Sequence, residues 1–206
     1  MQAGVGAPQP GALDHVRFGV VDVETNGLSD RRHRILQIGL VIARADGTVL
    51  DRWSTYVRPR WWPVARLGPR HIHGITRAHL RDAPRLGEAL DELGRRLDGV
   101  VLTAHNLRFD RGFLRHSAQR AGRDLPLGQG VCTLQMSRSL DPDRLLSHKL
   151  VDVCARYAVP LHRAHDALAD AEATAGLLPH LLRLAGVSTP DHLSQLVEGT
   201  LLPPRS

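Results

Sequence analysis

The sequence predicts an α/β domain built around a mixed sheet, and three features of its apolar pattern predict it. Runs rich in β-branched residues come first, separated by short turns, as in a meander of strands. A further short run, VVLTAH at 100–105, is followed at once by an amphipathic helical pattern. The last third of the chain carries helical spacing almost throughout. Strands that meander and then alternate with helices favour a sheet covered by helices.

The first strand is expected over about 16–24 and ends in the turn formers Asn26-Gly27-Leu28-Ser29. Residues 35–57 read as two strands joined at Ala45-Asp46-Gly47, because Asp-Gly is a strong hairpin signal. Pro59 and Pro63 interrupt the chain after the second of them. A short helical segment is expected around 66–74 and a longer one over about 85–97. After the strand at 100–105, Leu107, Phe109 or Asp110, Phe113, Leu114 and Ala118 stand near helical spacing and mark an amphipathic helix. Further helices are expected over about 133–140, 148–158 and 166–183. Gly176 and Pro179 should bend or break the last, since proline lacks an N–H and crowds the preceding turn. DHLSQLV, at 191–197, adds a short apolar segment near the end.

A chain of 206 residues can bury a substantial core as one domain. Residues 1–14 read as a Gly/Pro/Ala-rich flexible arm, 15–185 as the folded domain, and 186–206 as a C-terminal segment forming a short helix and a tail. No apolar run approaches the ~20 residues of a membrane helix, and the N-terminus lacks a signal-peptide pattern. Cys132 and Cys154 are the only cysteines and show no CxxC spacing, so reduced thiols in a cytoplasm are expected. The net charge of +6 rests on arginine, with Lys149 the only lysine. Such basicity fits a polyanionic partner such as nucleic acid, and equally a compositional bias.

Asp22 and Glu24, in VVDVETNG, are the residues that demand an explanation. Side chains alternate along a strand, so these two carboxylates share one face at the end of a hydrophobic run. Such a pair repels itself and resists burial without a compensating cation. Three other stretches join it: IHGIT at 72–76, AHNLRFD ending in Asp110, and HDALAD with His165 and Asp170. Singly, each has an ordinary structural explanation: a helix-dipole partner, a helix entrance, a packed histidine. Strand and helix ends could instead gather Asp22, Glu24, Asp110 and Asp170 in one place. All-oxygen ligands of this kind favour Mg²⁺ or Mn²⁺ over zinc. His165 precedes the helix of Asp170, and imidazole changes charge near neutral pH, which suits a general base.

The ordered set DVETNGL, RILQIG, IHGIT, AHNLRFDRGFL, KLVDVCARYAVPL and AHDALADAEAT resembles the DEDD exonucleases of the histidine subclass, over about residues 16–183. Within them it is similar to the proofreading type, the epsilon subunit of bacterial DNA polymerase III and its stand-alone relatives. The resemblance implies a ribonuclease H-like fold, with a central five-stranded mixed sheet whose second strand is antiparallel. It implies that Asp22, Glu24 and Asp170 hold one divalent ion and that Asp22 and Asp110 hold a second. It makes His165 the base for the attacking water. Thr25 would contact the terminal nucleotide, His73 and Ile75 would line its pocket, Phe109 would stack or pack nearby, and Asn106 would support the site from behind. Cys132-Thr133-Leu134 departs from the Asp-Thr-Leu of many relatives.

The activity implied is metal-dependent 3′→5′ exonucleolysis of DNA ends, of proofreading or repair type. Exoribonuclease activity on RNA ends, or a non-catalytic module that binds nucleic-acid ends or assists a polymerase, are the alternatives. Arg108, Arg111 and the Arg31, Arg32, Arg34 group are candidates for guiding the strand. A polymerase or sliding clamp is a conceivable partner, the latter through the tail that contains Gln195.

Overall fold

A computed structural model of the chain describes residues 13–60, 65–128 and 130–197. Pro63, most of the expected N-terminal arm and the tail from 198 lie outside the described residues. Five strands form one sheet in the order β3-β2-β1-β4-β5. They are β1 (Arg17–Thr25), β2 (Ile35–Arg44), β3 (Val49–Tyr56), β4 (Val101–Ala104) and β5 (Gly130–Cys132). The sheet is mixed, as expected: β2 runs antiparallel to both β1 and β3, while β4 and β5 run parallel to β1.

β2 is buried from Ile35 to Ala43, which is why it reads as a continuous apolar run rather than an alternating one. β3 is the edge strand, and its Asp51 and Arg52 are exposed, as suits an unpaired edge. The turn between β2 and β3 closes through Arg44 N–H to the Thr48 carbonyl and Thr48 N–H to the Asp46 carboxylate.

The helices are α1 (Arg70–His73), α2 (Arg77–Leu80), α3 (Leu86–Arg96), α4 (Leu107–Ala121), α5 (Thr133–Ser139), α6 (Leu150–Arg156), α7 (Ala167–Leu184) and α8 (Pro190–Val197). Strand alternation on β1 sorts them onto two faces. Phe18 and Val20 pack with Ala171, Leu178 and Leu181 of α7. Val21 and Val23 point the other way, into a core with Leu90 of α3 and Phe113 of α4. Leu13 and Leu193 of α8 belong to the α7 core.

Four elements differ from expectation. The helix expected over 66–74 is only the single turn α1. α2 and β5 have no counterpart in the sequence pattern because each is a turn or three residues long. α7 is not broken: the helix continues through Pro179. An interior proline costs ~3 kcal/mol. Here Leu177, Leu178, Leu181 and Leu182 are buried on both sides of it, and each such side chain contributes roughly 1.5–3 kcal/mol. Packing outweighs local propensity.

Candidate active site

Asp22 and Glu24 continue the face of β1 that carries Phe18 and Val20, and so turn toward α7. Asp170 stands in the first turn of α7 and His165 in the loop just before it. Single ligand atoms of Glu24, His165 and Asp170 lie within 4.8 Å of one another. Asp110 arrives from the start of α4. β4 pairs with β1 only as far as Val20, so the Val23 amide has no β4 partner and donates to Asp110 Oδ1 at 3.1 Å. Asp22, Glu24, Asp110 and Asp170 are close enough that their charges bear on one another.

Burial first, and mutual repulsion second, push these carboxyls upward. Asp22 is raised well above the usual carboxylate range by burial and then by Asp110, Asp170 and Glu24. Glu24 is raised to about 8 by burial, Asp170 and Asp110. Asp110 reaches about 7, burial outweighing the amide bonds from Val23 and its own backbone. Asp170 reaches about 6, raised by burial and held down by the His165 N–H at 3.2 Å. Asp170 Oδ1 is buried and has no hydrogen-bond partner. Hard oxygen donors, deprived of counter-charge and left with an unused buried lone pair, fit a divalent cation.

The seat of α7 explains how the sequence brings His165 and Asp170 to β1. Asp166 caps the helix by accepting from the Ala169 amide at 3.2 Å. Gln37 on β2, paired with Glu24, reaches both the Asp166 carboxylate (3.4 Å) and the Ala167 amide (3.5 Å). A Cβ on Gly39 would fall 2.2 Å from the Ala167 carbonyl oxygen, so only glycine lets β2 approach the helix end this closely. Gln37 and Gly39 lie in the motif RILQIG, yet an amide and a glycine in a buried strand carry no chemical signal of their own. His165 is exposed, with a left-handed backbone (φ 65°) that turns the chain into α7.

The other expected site residues are placed differently. Thr25 is buried, and its hydroxyl donates to the Gly27 carbonyl at 2.7 Å, building the turn. Asn26 clasps that turn to the next loop, donating to the Arg66 carbonyl and accepting from Arg34 N–H. Gly68 packs so closely on the Asn26 backbone, at a φ of 72°, that a side chain there is barred. His73 accepts from Ile75 N–H at Nδ1, so Nε2 donates to the Leu67 carbonyl at 2.9 Å. Burial, then the charges of Arg70 and His165, hold that imidazole below its ordinary pKa. Ile75 is 1% exposed in a small core with Leu36, Leu67 and Leu80. Both residues thus build the wall behind the loop, with little surface to offer a nucleotide. Phe109 packs on Phe113, ring centres 4.8 Å apart. Asn106 is exposed and forms no side-chain cap, though its carbonyl accepts from the Phe109 and Asp110 amides. Cys132 is half-buried, its thiol donating to the His105 carbonyl at 3.4 Å.

The chain is thus a mixed α/β domain, with a five-stranded sheet and an acidic centre where β1, α4 and α7 meet. The exonuclease family model of RNase T matches residues 20–178, and the chain belongs to that family. It is 33% identical over 177 residues to DNA polymerase III PolC-type of Oceanobacillus iheyensis, covering 85% of this chain and 12% of that protein. It is 29% identical over 163 residues to the 3′-5′ exonuclease DinG of Bacillus subtilis, covering 79% of this chain and 17% of the relative. The chain therefore spans less than a fifth of the length of these curated relatives. Among solved structures, exonuclease X in complex with 5′ overhanging duplex DNA superposes with a TM-score of 0.69 at 24% identity, over 87% of this chain and 99% of that one. Exonuclease I superposes with a TM-score of 0.71 at 20% identity, over 90% of this chain and 43% of its own. The fold is that of these exonucleases, ribonuclease H-like. Among the described residues, no helix is long and apolar enough to cross a membrane.

Proposed function

We propose that the chain is a divalent-metal-dependent 3′→5′ exonuclease acting on single-stranded or frayed DNA ends and releasing nucleoside 5′-monophosphates. The observation that carries this reading is Asp170: Oδ1 is buried without a partner, and a carboxylate oxygen of the same residue lies within 4.8 Å of ligand atoms of Glu24 and His165. Mg²⁺ or Mn²⁺, one held by Asp22, Glu24 and Asp170 and one by Asp22 and Asp110, would supply charge for a nucleophilic water and for the departing 3′ oxygen. The chain's own contribution is position and a proton acceptor. His165, exposed on its loop, takes the proton of the water as its oxygen bonds to phosphorus and the P–O3′ bond breaks.

Two relatives support the direction and a DNA substrate: one is named a 3′-5′ exonuclease, and the exonuclease X structure is a complex with 5′ overhanging duplex DNA. A polymerase is the partner class that the PolC-type relatives support. A sliding clamp gains nothing, since Gln195 lies in α8 and the tail beyond 197 is outside the described residues. A reducing cytoplasm suits the two free thiols.

The test is time-resolved digestion of matched 3′-end DNA and RNA strands with Mg²⁺, Mn²⁺ or chelator. DNA shortened from the 3′ end only with a divalent ion is the expected result. Preferential loss of RNA would reassign the substrate. His165→Ala should fall by roughly 10²–10⁴-fold, the usual range for general-base catalysis. Asp22→Ala should fall further, as it serves both ions. Near-full activity of Asp22→Ala would remove the mechanism.

A further inference from the structure

A second concave site lies on the other face of the sheet, about 730 Å³ in volume, between the start of β2, the segment after β3, and helices α3 and α4. Five arginines line it: Arg34, Arg58, Arg60, Arg85 and Arg120. Its floor is apolar, with Ile35, Val57 and Leu86. The volume falls within the ~300–1,000 Å³ typical of small-molecule sites.

Arg34, Arg58 and Arg120 are held in place by neutral groups. Arg34 donates to the carbonyls of Arg32 and His33, and Arg58 to that of Arg81. Arg120 donates to the Asp30 carbonyl and the Ser117 hydroxyl. Among the described residues, Arg34, Arg58, Arg85 and Arg120 form no ion pair with a carboxylate within 4.0 Å. Two acids border it: Asp30 turns its carboxylate to His116 at 3.0 Å, and Glu88 accepts from the Arg85 backbone N–H at 2.9 Å. Burial and then the neighbouring Arg34 depress the Arg120 guanidinium below its ordinary value, with Asp30 opposing them. Elsewhere on the surface, arginines find acids, as Arg52 does with Glu172 and Arg123 with Asp91. The guanidinium forks of Arg34, Arg58, Arg85 and Arg120, gathered without a carboxylate ion pair, suit phosphate, which such forks bind through paired N–H bonds.

The cavity and the acidic centre are joined by α4, which contributes Asp110 to one and Ser117 and Arg120 to the other. Asp110 and Ser117 are seven residues apart on the buried stripe of α4, with Arg120 a turn further, so the helix fixes the spacing between the two sites. At 1.5 Å per residue, Ser117 and Arg120 stand roughly 10 and 15 Å along the axis from Asp110. A stacked strand rising ~3.4 Å per nucleotide covers that span in about three to four nucleotides. Ile35, in the cavity floor, is the β-sheet partner of Thr25, one residue beyond Glu24.

We propose that this arginine cavity is a phosphate-binding subsite that grips the backbone of the substrate strand three to four nucleotides from the end being cleaved. The proposal rests on the exonuclease reading for its substrate, but not for its chemistry. It makes the enzyme a counter of strand length: a short oligonucleotide reaches the carboxylates alone, and a longer one reaches both sites.

The test uses Arg58→Gln/Arg85→Gln, with Arg58→Lys/Arg85→Lys as the charge-preserving control and thermal unfolding to confirm the fold of each. With Mn²⁺, kcat/KM on a twelve-nucleotide strand should fall by tenfold or more in the Gln pair, as expected for lost charged hydrogen bonds, while a dinucleotide is cleaved as before. In chelator, fluorescence anisotropy of the labelled twelve-mer should show the salt slope of log K lowered by about 1.4, at ~0.7 per neutralised phosphate, with the Lys pair near wild type. Equal loss on both lengths, or none on either, would overturn the subsite. Wild-type protein that binds the twelve-mer with the full slope yet never cleaves it would overturn the exonuclease reading and leave the subsite standing. Binding of a free nucleoside 5′-monophosphate that vanishes in the Gln pair, with twelve-mer affinity unchanged, would assign the cavity to a free nucleotide and overturn its role on the strand.

Discussion

At the residue scale, charge and space at single atoms decide what the site can do. The four carboxyls bind protons more tightly in the folded chain than in the unfolded one, where Asp and Glu titrate near 3.9 and 4.3. Between those values and about 6 for Asp170, 7 for Asp110 and 8 for Glu24, the folded state carries the extra protons. Stability of the metal-free protein is therefore greatest on the acid side and falls as pH rises through that window. A loss of several kcal/mol from pH 5 to pH 8, read by urea unfolding in chelator, is the expected outcome. Mn²⁺ should return most of it at pH 8 and little at pH 5, because only the ionised oxygens bind the cation. A metal-free protein that grows more stable toward pH 8 would contradict the crowding of these carboxylates. Gly39 makes the complementary point about space. Gly39→Ala puts a methyl against the Ala167 carbonyl, so α7 must shift. Overpacking of this kind costs roughly 1–3 kcal/mol. Activity should fall by more than the stability loss explains, because Asp170 and His165 move with the helix end; equal activity in the folded variant would show that the seat tolerates displacement.

At the element scale, the entrance to α7 links fold and chemistry. Asp166 caps it and accepts from Gln37 on β2. Asp166→Ala should cost ~1 kcal/mol, the usual value of an N-cap. Asp166→Asn should keep most of the cap yet remove a charge that raises the pKa of Asp22, Glu24 and Asp170. The two variants, compared by thermal melting in chelator at pH 7.5, should separate: Asn near or above wild type, Ala below it. Both variants remove the charge, so identical losses would mean that asparagine does not keep the cap, and an Asn variant clearly less stable than wild type would mean that the charge does not strain the site. β1, β2 and α4 were legible in the sequence for a plain reason. Each is long enough for its apolar period to repeat, and the hairpin at Asp46-Gly47 carries its own turn chemistry. β5 and α2 were not, because three or four residues cannot display a period. The continuity of α7 through Pro179 was hidden too, since local propensity argues for a break and only burial argues against it.

At the scale of the whole molecule, the two faces of the sheet divide the work. One face packs α7 against β1 and β2 and carries the carboxylates; the other packs α3 and α4 and opens into the arginine cavity. The acidic centre joins β1, α4 and α7, elements separated by more than 140 residues from Asp22 to Asp170. A divalent ion bound there cross-links all three, so the thermal midpoint should rise with Mn²⁺ in the wild type and far less in Asp22→Ala. Equal shifts in both proteins would place the ion elsewhere.

The sequence by itself determined the fold class and the family resemblance, and it singled out the acidic quartet and its histidine as the candidate site. Those depend on alternation, helical period and residue chemistry, which are written locally along the chain. The tertiary structure alone decided that His73 and Ile75 face inward, that Gln37 and Gly39 seat the start of α7, and that scattered arginines share one cavity. Those depend on which distant segments touch, and contact across the fold leaves no period in a single strand or helix to read.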